Sequence, residues 1–248
     1  LPDMLATVRR LKKEIARRPP DRIVCLPGRD WSALAACLLG QAAGIPSYDV
    51  QTVFIGPHTR IVATAASFQV ALETYSADLF HTFFAMPRER ILLGAGLRLA
   101  AEIRTVLAAT AEHGPGAQPR LLFAASPILD DCLPVAAALV DAAPTVPGLV
   151  VSIRLHPATP AEHRIAYERL IRERGAGVAE ISRVPDMALD VGRSDLIATR
   201  FSNVGLAAAL AGKPVISCEF GDEPLPVSLS VMGIGARVSG PDGVAAAL

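Results

Sequence analysis

Between Arg120 and Val238 short apolar runs alternate with helix-like stretches so regularly that few folds can accommodate the pattern. The runs are Arg120–Ala124, Leu149–Leu155, Val178–Ser182, Asp195–Thr199, Pro214–Cys218 and Gly235–Val238. Between the first five lie the stretches Asp130–Ala143, Pro160–Arg174, Pro185–Val191 and Ser202–Ala211, which read as helices. A strand buried on both faces shows a continuous β-branched and apolar run, and Leu149-Val-Val-Ser-Ile-Arg-Leu155 has that character. Strands joined through helices of roughly 10–15 residues form βαβ units with right-handed crossovers, hence a parallel sheet.

The first half follows the same logic less cleanly. Leu5–Arg18 reads as a helix stopped by Pro19-Pro20, since proline cannot continue one. Arg22–Leu26, Ile45–Val50, Arg60–Ala66 and Arg90–Leu93 read as strands. Trp31–Ala43, capped by Asp30, reads as a helix. So do Ser67–Phe84, on the spacing of Phe68, Leu72, Tyr75 and Leu79, and Leu97–Glu112. The breaker-rich segment His113-Gly-Pro-Gly-Ala-Gln-Pro119 is the best linker in the chain. It sets the expected boundary between domains 1–113 and 114–248. The fold expected is α/β, with two Rossmann-like, doubly wound parallel-sheet domains.

Composition narrows the partners. The 248 residues are 51% hydrophobic, which excludes disorder, and 24 basic side chains balance 24 acidic ones, which argues against nucleic acid. The local basic run Arg9–Arg18 reads either as a solvated helix face or as a contact with an anionic membrane surface. Four cysteines lack any metal or C-x-x-C spacing, so they read as reduced thiols, and the compartment as cytoplasmic or the inner face of the membrane. No apolar run is long enough to span a bilayer, and no signal-peptide pattern opens the chain. A start at Leu1 and an end inside an apparent helix suggest a piece of a longer protein.

In an open parallel sheet, ligands bind beyond the carboxyl ends of the strands. After Leu149–Leu155 come His156-Pro157, with Arg154 two residues earlier and on the same strand face. A guanidinium and an imidazole there can donate to phosphate oxygens, and His156 can equally cap its strand. After Asp195–Thr199 come Arg200-Phe-Ser202-Asn203-Val204 and a helix whose first amides form an anion site, with Ser202 or Asn203 as its cap. Gly205 in that helix allows a ligand or neighbouring backbone to approach closely. Glu219 follows the Pro214–Cys218 strand and can reach sugar hydroxyls or lie in a solvated loop. Asp30 and His58 are the candidate bases in the first half, although Asp30 also reads as a helix cap and His58 as a loop residue. There is no P-loop, no G-x-S-x-G elbow and no D-x-D pair, so no metal or cofactor is expected.

Two segments resemble a known family. Ile153-Arg-Leu-His-Pro157 resembles the basic-x-His-Pro motif of GT-B enzymes that build bacterial surface polysaccharides, namely sialyltransferases, Kdo transferases and teichoic-acid glycerophosphotransferases. The stretch Ser194–Ile216, with its Ser turn, helix and Gly212-Lys-Pro-Val strand, is similar to their second signature. Gly44-Ile-Pro46, Gln51 and Tyr75–Gly96 look more loosely like the end of a GT-B N-terminal domain, which here is short. The chain departs from the pattern in carrying Ala207 and Ala208 where relatives often carry Glu.

The resemblance implies a GT-B-like pair of domains, acceptor side first and nucleotide-sugar side second. It implies donor contacts at His156 and Ser202, and the expected donor set is Arg154, His156, Pro157, Arg200, Ser202, Asn203, Val204 and Glu219. The expected partners are a nucleotide-sugar donor and a glycan or lipid-linked acceptor. The expected reaction is metal-independent transfer of the sugar to a hydroxyl. Two rival readings stay open: a non-hydrolysing UDP-sugar 2-epimerase, whose turn usually holds a Ser-Gly-Gly run, and a non-catalytic GT-B module.

Overall fold

The computed structural model describes residues 2–26, 30–52, 55, 64–94, 96–113, 118–221, 225 and 228–248. The chain divides into two compact units, Leu1–Arg98 and Leu99–Leu248.

The first unit is a parallel sheet in the order β1-β2-β3-β4, from Ile23–Cys25, Ser47–Val50, Phe68–Ala71 and Ile91–Leu93. Its helices are α1 (Pro2–Arg17), α2 (Trp31–Ala42) and α3 (Thr74–Thr82). Gly40 lets α2 lie close to the sheet, because a Cβ there would sit 2.5 Å from Ile23 Cδ1. The expected helix Ser67–Phe84 is split: its first part is strand β3, and only Thr74–Thr82 is helical. Phe68 stacks on Tyr48 of the neighbouring strand at 5.2 Å, while buried Gln69 donates to the Asp49 carbonyl at 2.9 Å. Those pairings outweigh the helical spacing of Phe68 and Leu72, which arises by coincidence across a strand and a turn. Glu73 then caps α3 by accepting from the amides of Tyr75 and Ser76. The expected strand Arg60–Ala66 falls mostly outside the described residues.

The second unit is a six-stranded parallel sheet in the order β10-β9-β8-β5-β6-β7. Its strands are β5 (Arg120–Ala124), β6 (Val150–Arg154), β7 (Ala179–Ile181), β8 (Leu196–Thr199), β9 (Val215–Cys218) and β10 (Ala236–Val238). The helices are α4 (Leu97–His113), α5 (Leu129–Ala142), α6 (Ala161–Arg174), α7 (Met187–Gly192), α8 (Asn203–Leu210) and α9 (Val244–Ala247). The chain runs outward from β5 to β7, then returns to the other side of β5 for β8, β9 and β10. Right-handed crossovers in opposite directions put helices on both faces. Leu121, Phe123, Val151 and Ile153 pack with α5, α6 and α9 on one face. Leu122, Ile197 and Val215 pack with α4, α7 and α8 on the other.

Helix α4 lies largely in the second compact unit. Val106 joins that unit's core, and a Cβ on Gly192 would come within 2.4 Å of Ala109 Cβ. The unit division falls in the first turn of this helix, whereas the breaker segment His113–Pro119 begins at its end.

Candidate functional site

The strand order reverses between β5 and β8, and a doubly wound sheet opens its crevice at such a point. Thr199 Oγ1 donates to the Ala124 carbonyl at 3.2 Å and ties the carboxyl ends of these two strands together. Beyond β8 the backbone at Ser202 is extended, with φ −112 and ψ 144, and its Oγ accepts from the Val204 amide at 3.3 Å. Ser202 is thus the N-cap of α8. Its hydroxyl proton remains available to an oxygen acceptor, and the helix start adds its partial positive charge. Gly205 serves packing: a Cβ would sit 2.4 Å from Leu229 Cδ1 and 2.9 Å from Thr199 Cγ2. The close approach anticipated there is made by neighbouring side chains.

On the other side of β5, strand β6 ends at Arg154. Leu155 still packs with the α5 and α6 face, and His156 follows it beyond the carboxyl end of the strand. His156 is exposed, and Pro157 carries a tight turn in which the Thr159 amide donates to the His156 carbonyl at 2.9 Å. The Ala158 amide donates to His156 Nδ1 at 3.1 Å, which fixes the neutral ring as the tautomer with its proton on Nε2. That Nε2–H is a donor at the sheet edge. Neighbouring strands lie about 4.8 Å apart, so the ends of β6 and β8, on either side of β5, are separated by roughly 10 Å.

Arg154 was expected to face a phosphate beside His156. Its guanidinium is instead taken up within the protein. Arg154 Nη1 donates to the Val184 carbonyl at 2.8 Å and to Asp190 Oδ2 at 3.0 Å, and Nη2 donates to the Pro185 carbonyl at 3.1 Å. Asp190 is fully buried; it also accepts from Ser182 Oγ at 2.5 Å and faces Arg120 Nη2 at 3.9 Å. This network fastens the β7–α7 connection under the end of β6. Arg154 holds the strand from which His156 projects.

Arg200 is also internal. It donates from Nη1 to the Phe220 carbonyl at 2.7 Å and pairs with Asp131 at 3.4 Å, joining the ends of β8 and β9 to the first turn of α5. Glu219 Oε1 accepts from Ser217, Ser228 and Ser230 at 2.9, 2.7 and 2.5 Å, and Oε2 pairs with Arg237 at 3.0 Å. Burial pushes this carboxyl upward, but the three hydroxyls and the Arg237 charge outweigh it and hold the group below its ordinary value. A carboxylate so filled anchors its own loop, and reaching sugar hydroxyls would cost it these bonds. In the first unit Asp30 caps α2, accepting from Ser32 Oγ at 2.6 Å and the Ala33 amide at 2.7 Å. Those bonds lower its pKa and make the carboxylate a weaker base, a poor state for a general base. His58 lies outside the described residues.

Sequence reasoning missed three contributors. Asp190 carried a readable signal, an acid within an otherwise apolar helical turn. His163, whose Nδ1 lies 3.2 Å from the Pro127 carbonyl beyond β5, and the Ser228/Ser230 pair carried none, because only the tertiary fold brings them there. Lys213, part of the Gly-Lys-Pro-Val segment, donates to the Gly192 and Ser194 carbonyls at 2.9 and 2.8 Å, binding the entry to β9 to the end of α7.

No protein-family model matches the chain, and no curated protein matches it. Solved structures do. The UDP-GlcNAc 2-epimerase from Neisseria meningitidis, bound to UDP-GlcNAc, superposes with a TM-score of 0.67 at 13% identity over 98% of this chain and 70% of its own. A glycosyltransferase from Rickettsia africae gives 0.62 at 12% identity, over 98% and 69%. S. aureus MnaA, in a co-structure with UDP, gives 0.61 at 14% identity, and here the chain spans 62% of the other protein's length. At such identities the likeness is one of fold: two Rossmann-like parallel-sheet units of GT-B type.

Proposed function

We propose that the chain binds a nucleotide sugar at the carboxyl edge of the second unit's sheet and acts in transfer of the sugar to a hydroxyl acceptor. The observation that carries the reading is the pair of donors flanking the reversal point: His156 Nε2–H beyond β6, and the Ser202-capped start of α8 beyond β8. A diphosphate is an anion of matching chemistry. As the glycosidic bond breaks, negative charge gathers on the leaving phosphate, and preorganised donors of this kind stabilise it. One such donor contributes roughly 3 kcal/mol, about two orders of magnitude in rate. Val204 serves the site by holding the Ser202 hydroxyl oxygen with its amide, and Asn203 through its place in the first turn of α8. Acceptor recognition is assigned to the first unit, Leu1–Arg98, and donor recognition to the second, Leu99–Leu248.

A second reading, 2-epimerisation of a UDP-sugar, has support in the comparisons, since several of the similar structures carry that name. Transfer is ranked first because Ser202-Asn203-Val204 lacks the Ser-Gly-Gly run of that enzyme class.

The test begins with a thermal-shift panel of CMP, CDP, UDP, GDP and their sugars. A true ligand at about a hundred times its Kd adds about 2.7 kcal/mol, enough to raise Tm by roughly 5–10 °C. Incubation with UDP-GlcNAc, followed by proton NMR of the anomeric signals, then separates the reactions. A second sugar nucleotide formed without acceptor indicates epimerisation, and acceptor-dependent release of UDP indicates transfer. A flat panel would remove both readings and leave a non-catalytic module.

A further inference from the structure

Among the described residues, seven of the fifteen exposed large apolar side chains, Leu5, Trp31, Leu34 and Leu38 among them, fall within the first 38 positions. Helix α2 is free of charge along its length, yet Trp31, Leu34 and Leu38, at helical positions i, i+3 and i+7, are 39, 37 and 51% exposed. They form a stripe distinct from the Cys37 and Gly40 face that meets the sheet. The helix packed beside it, α1, is strongly amphipathic. Its Val8, Leu11 and Ile15 are half-buried, while Arg9, Arg10, Lys12 and Lys13 are exposed. Residues 1–22 hold seven cationic and three acidic side chains, an excess of four in a chain whose total charge is zero.

We propose that the α1–α2 pair is a docking surface for a bilayer containing anionic lipid. The occupant follows from the combination. Exposed cations beside an apolar stripe with a tryptophan match the interface of anionic headgroups and acyl chains, where the charges meet phosphate and the stripe leaves water. A nucleic acid would use the cations and leave the stripe in water. Among the described residues no helix is long and apolar enough to cross a membrane, so the contact is peripheral. A chain docked this way would work on substrates displayed at a membrane surface.

Trp31 is the only tryptophan in the chain, so its emission reports on the stripe without any substitution. The intact protein is mixed with vesicles of phosphatidylcholine alone and of phosphatidylcholine with one quarter phosphatidylglycerol. The surface predicts a blue shift of Trp31 and co-sedimentation with the anionic vesicles only, both reversed by high salt. Each cation contributes about fivefold to the partition. Replacing Arg9, Arg10, Lys12 and Lys13 by Gln should therefore weaken it by at least about a hundredfold. Leu34→Ser with Leu38→Ser should weaken it as well, with the circular dichroism spectrum and Tm retained. Unchanged Trp31 emission on anionic vesicles would overturn the proposal, as would an equal shift on neutral ones. So would lipid-free self-association that shields Trp31, which would assign the stripe to a second copy of the chain.

Discussion

Asp190→Ala is the substitution whose consequence the structure determines most closely. The carboxylate is fully buried, holds Arg154 at 3.0 Å and Ser182 at 2.5 Å, and faces Arg120 at 3.9 Å. Removing one member of a buried ion pair costs about 3–5 kcal/mol, because the other charge is left uncompensated. Arg154 keeps its two carbonyl partners and is 19% exposed, so the loss falls at the lower end, about 3 kcal/mol. For a chain of this size that is a fall in Tm of roughly 6–12 °C. Asp190→Asn retains an acceptor for Ser182 and Arg154 and should lose about half as much. Thermal melts of both variants, with far-UV circular dichroism, read the result. Arg154→Ala is the informative control. If it melts with the wild type and loses only nucleotide affinity, Arg154 serves a ligand and the structural assignment is wrong. A shift under about 2 °C for Asp190→Ala would refute the network's energetic role as well.

Other outcomes follow from the same contacts. Gly192→Ala drives a Cβ to 2.4 Å from Ala109 Cβ and 2.8 Å from the Val106 carbonyl, so urea denaturation should show a loss of about 1–3 kcal/mol; Gly177→Ala meets no neighbour and is opposed only by its left-handed φ of 82. All four cysteines are buried free thiols, and burial pushes Cys25 and Cys218 up to about 12. Ellman's reagent at pH 8 should therefore find almost none in the native protein and four in guanidinium, and rapid reaction of two or more natively would contradict the packing. The folded Glu219 carboxyl lies below its unfolded value of 4.5, so its stabilisation is complete above that pH and fades as pH falls through the lower folded value. Glu219→Gln should flatten the Tm profile below pH 4.5, and an unchanged slope would show that another group governs acid unfolding.

The second unit was legible in the sequence because both faces of its strands are covered. The runs Leu149–Leu155 and Pro214–Cys218 carry apolar residues on both faces, as at Val150 with Val151 and Val215 with Ile216, and a parallel sheet is the usual reason for that. Strand order was not legible, since nothing local says that β8 returns to the far side of β5. The first unit misled at Ser67–Phe84, where apolar spacing imitates a helix across the β3–α3 junction. At the site, positions were readable and partners were not. Arg154, Arg200 and Glu219 stand at strand ends as expected, but most of the groups that occupy them, Asp190, Asp131 and the Ser228 and Ser230 hydroxyls, come from other segments of the chain. His156 and Ser202 keep donors directed outward because their internal bonds are made to the adjacent backbone.

These two donors are proposed to hold a nucleotide's phosphates, and calorimetric titration of UDP into the wild type, His156→Ala and Ser202→Ala measures what each contributes. A hydrogen bond to a charged group contributes about 1.5–3 kcal/mol, so each variant should bind roughly ten- to a hundredfold more weakly. His156→Ala should leave Tm unchanged, because the ring is exposed. One-to-one binding weakened by both substitutions is the predicted result. UDP binding that neither substitution alters would contradict it.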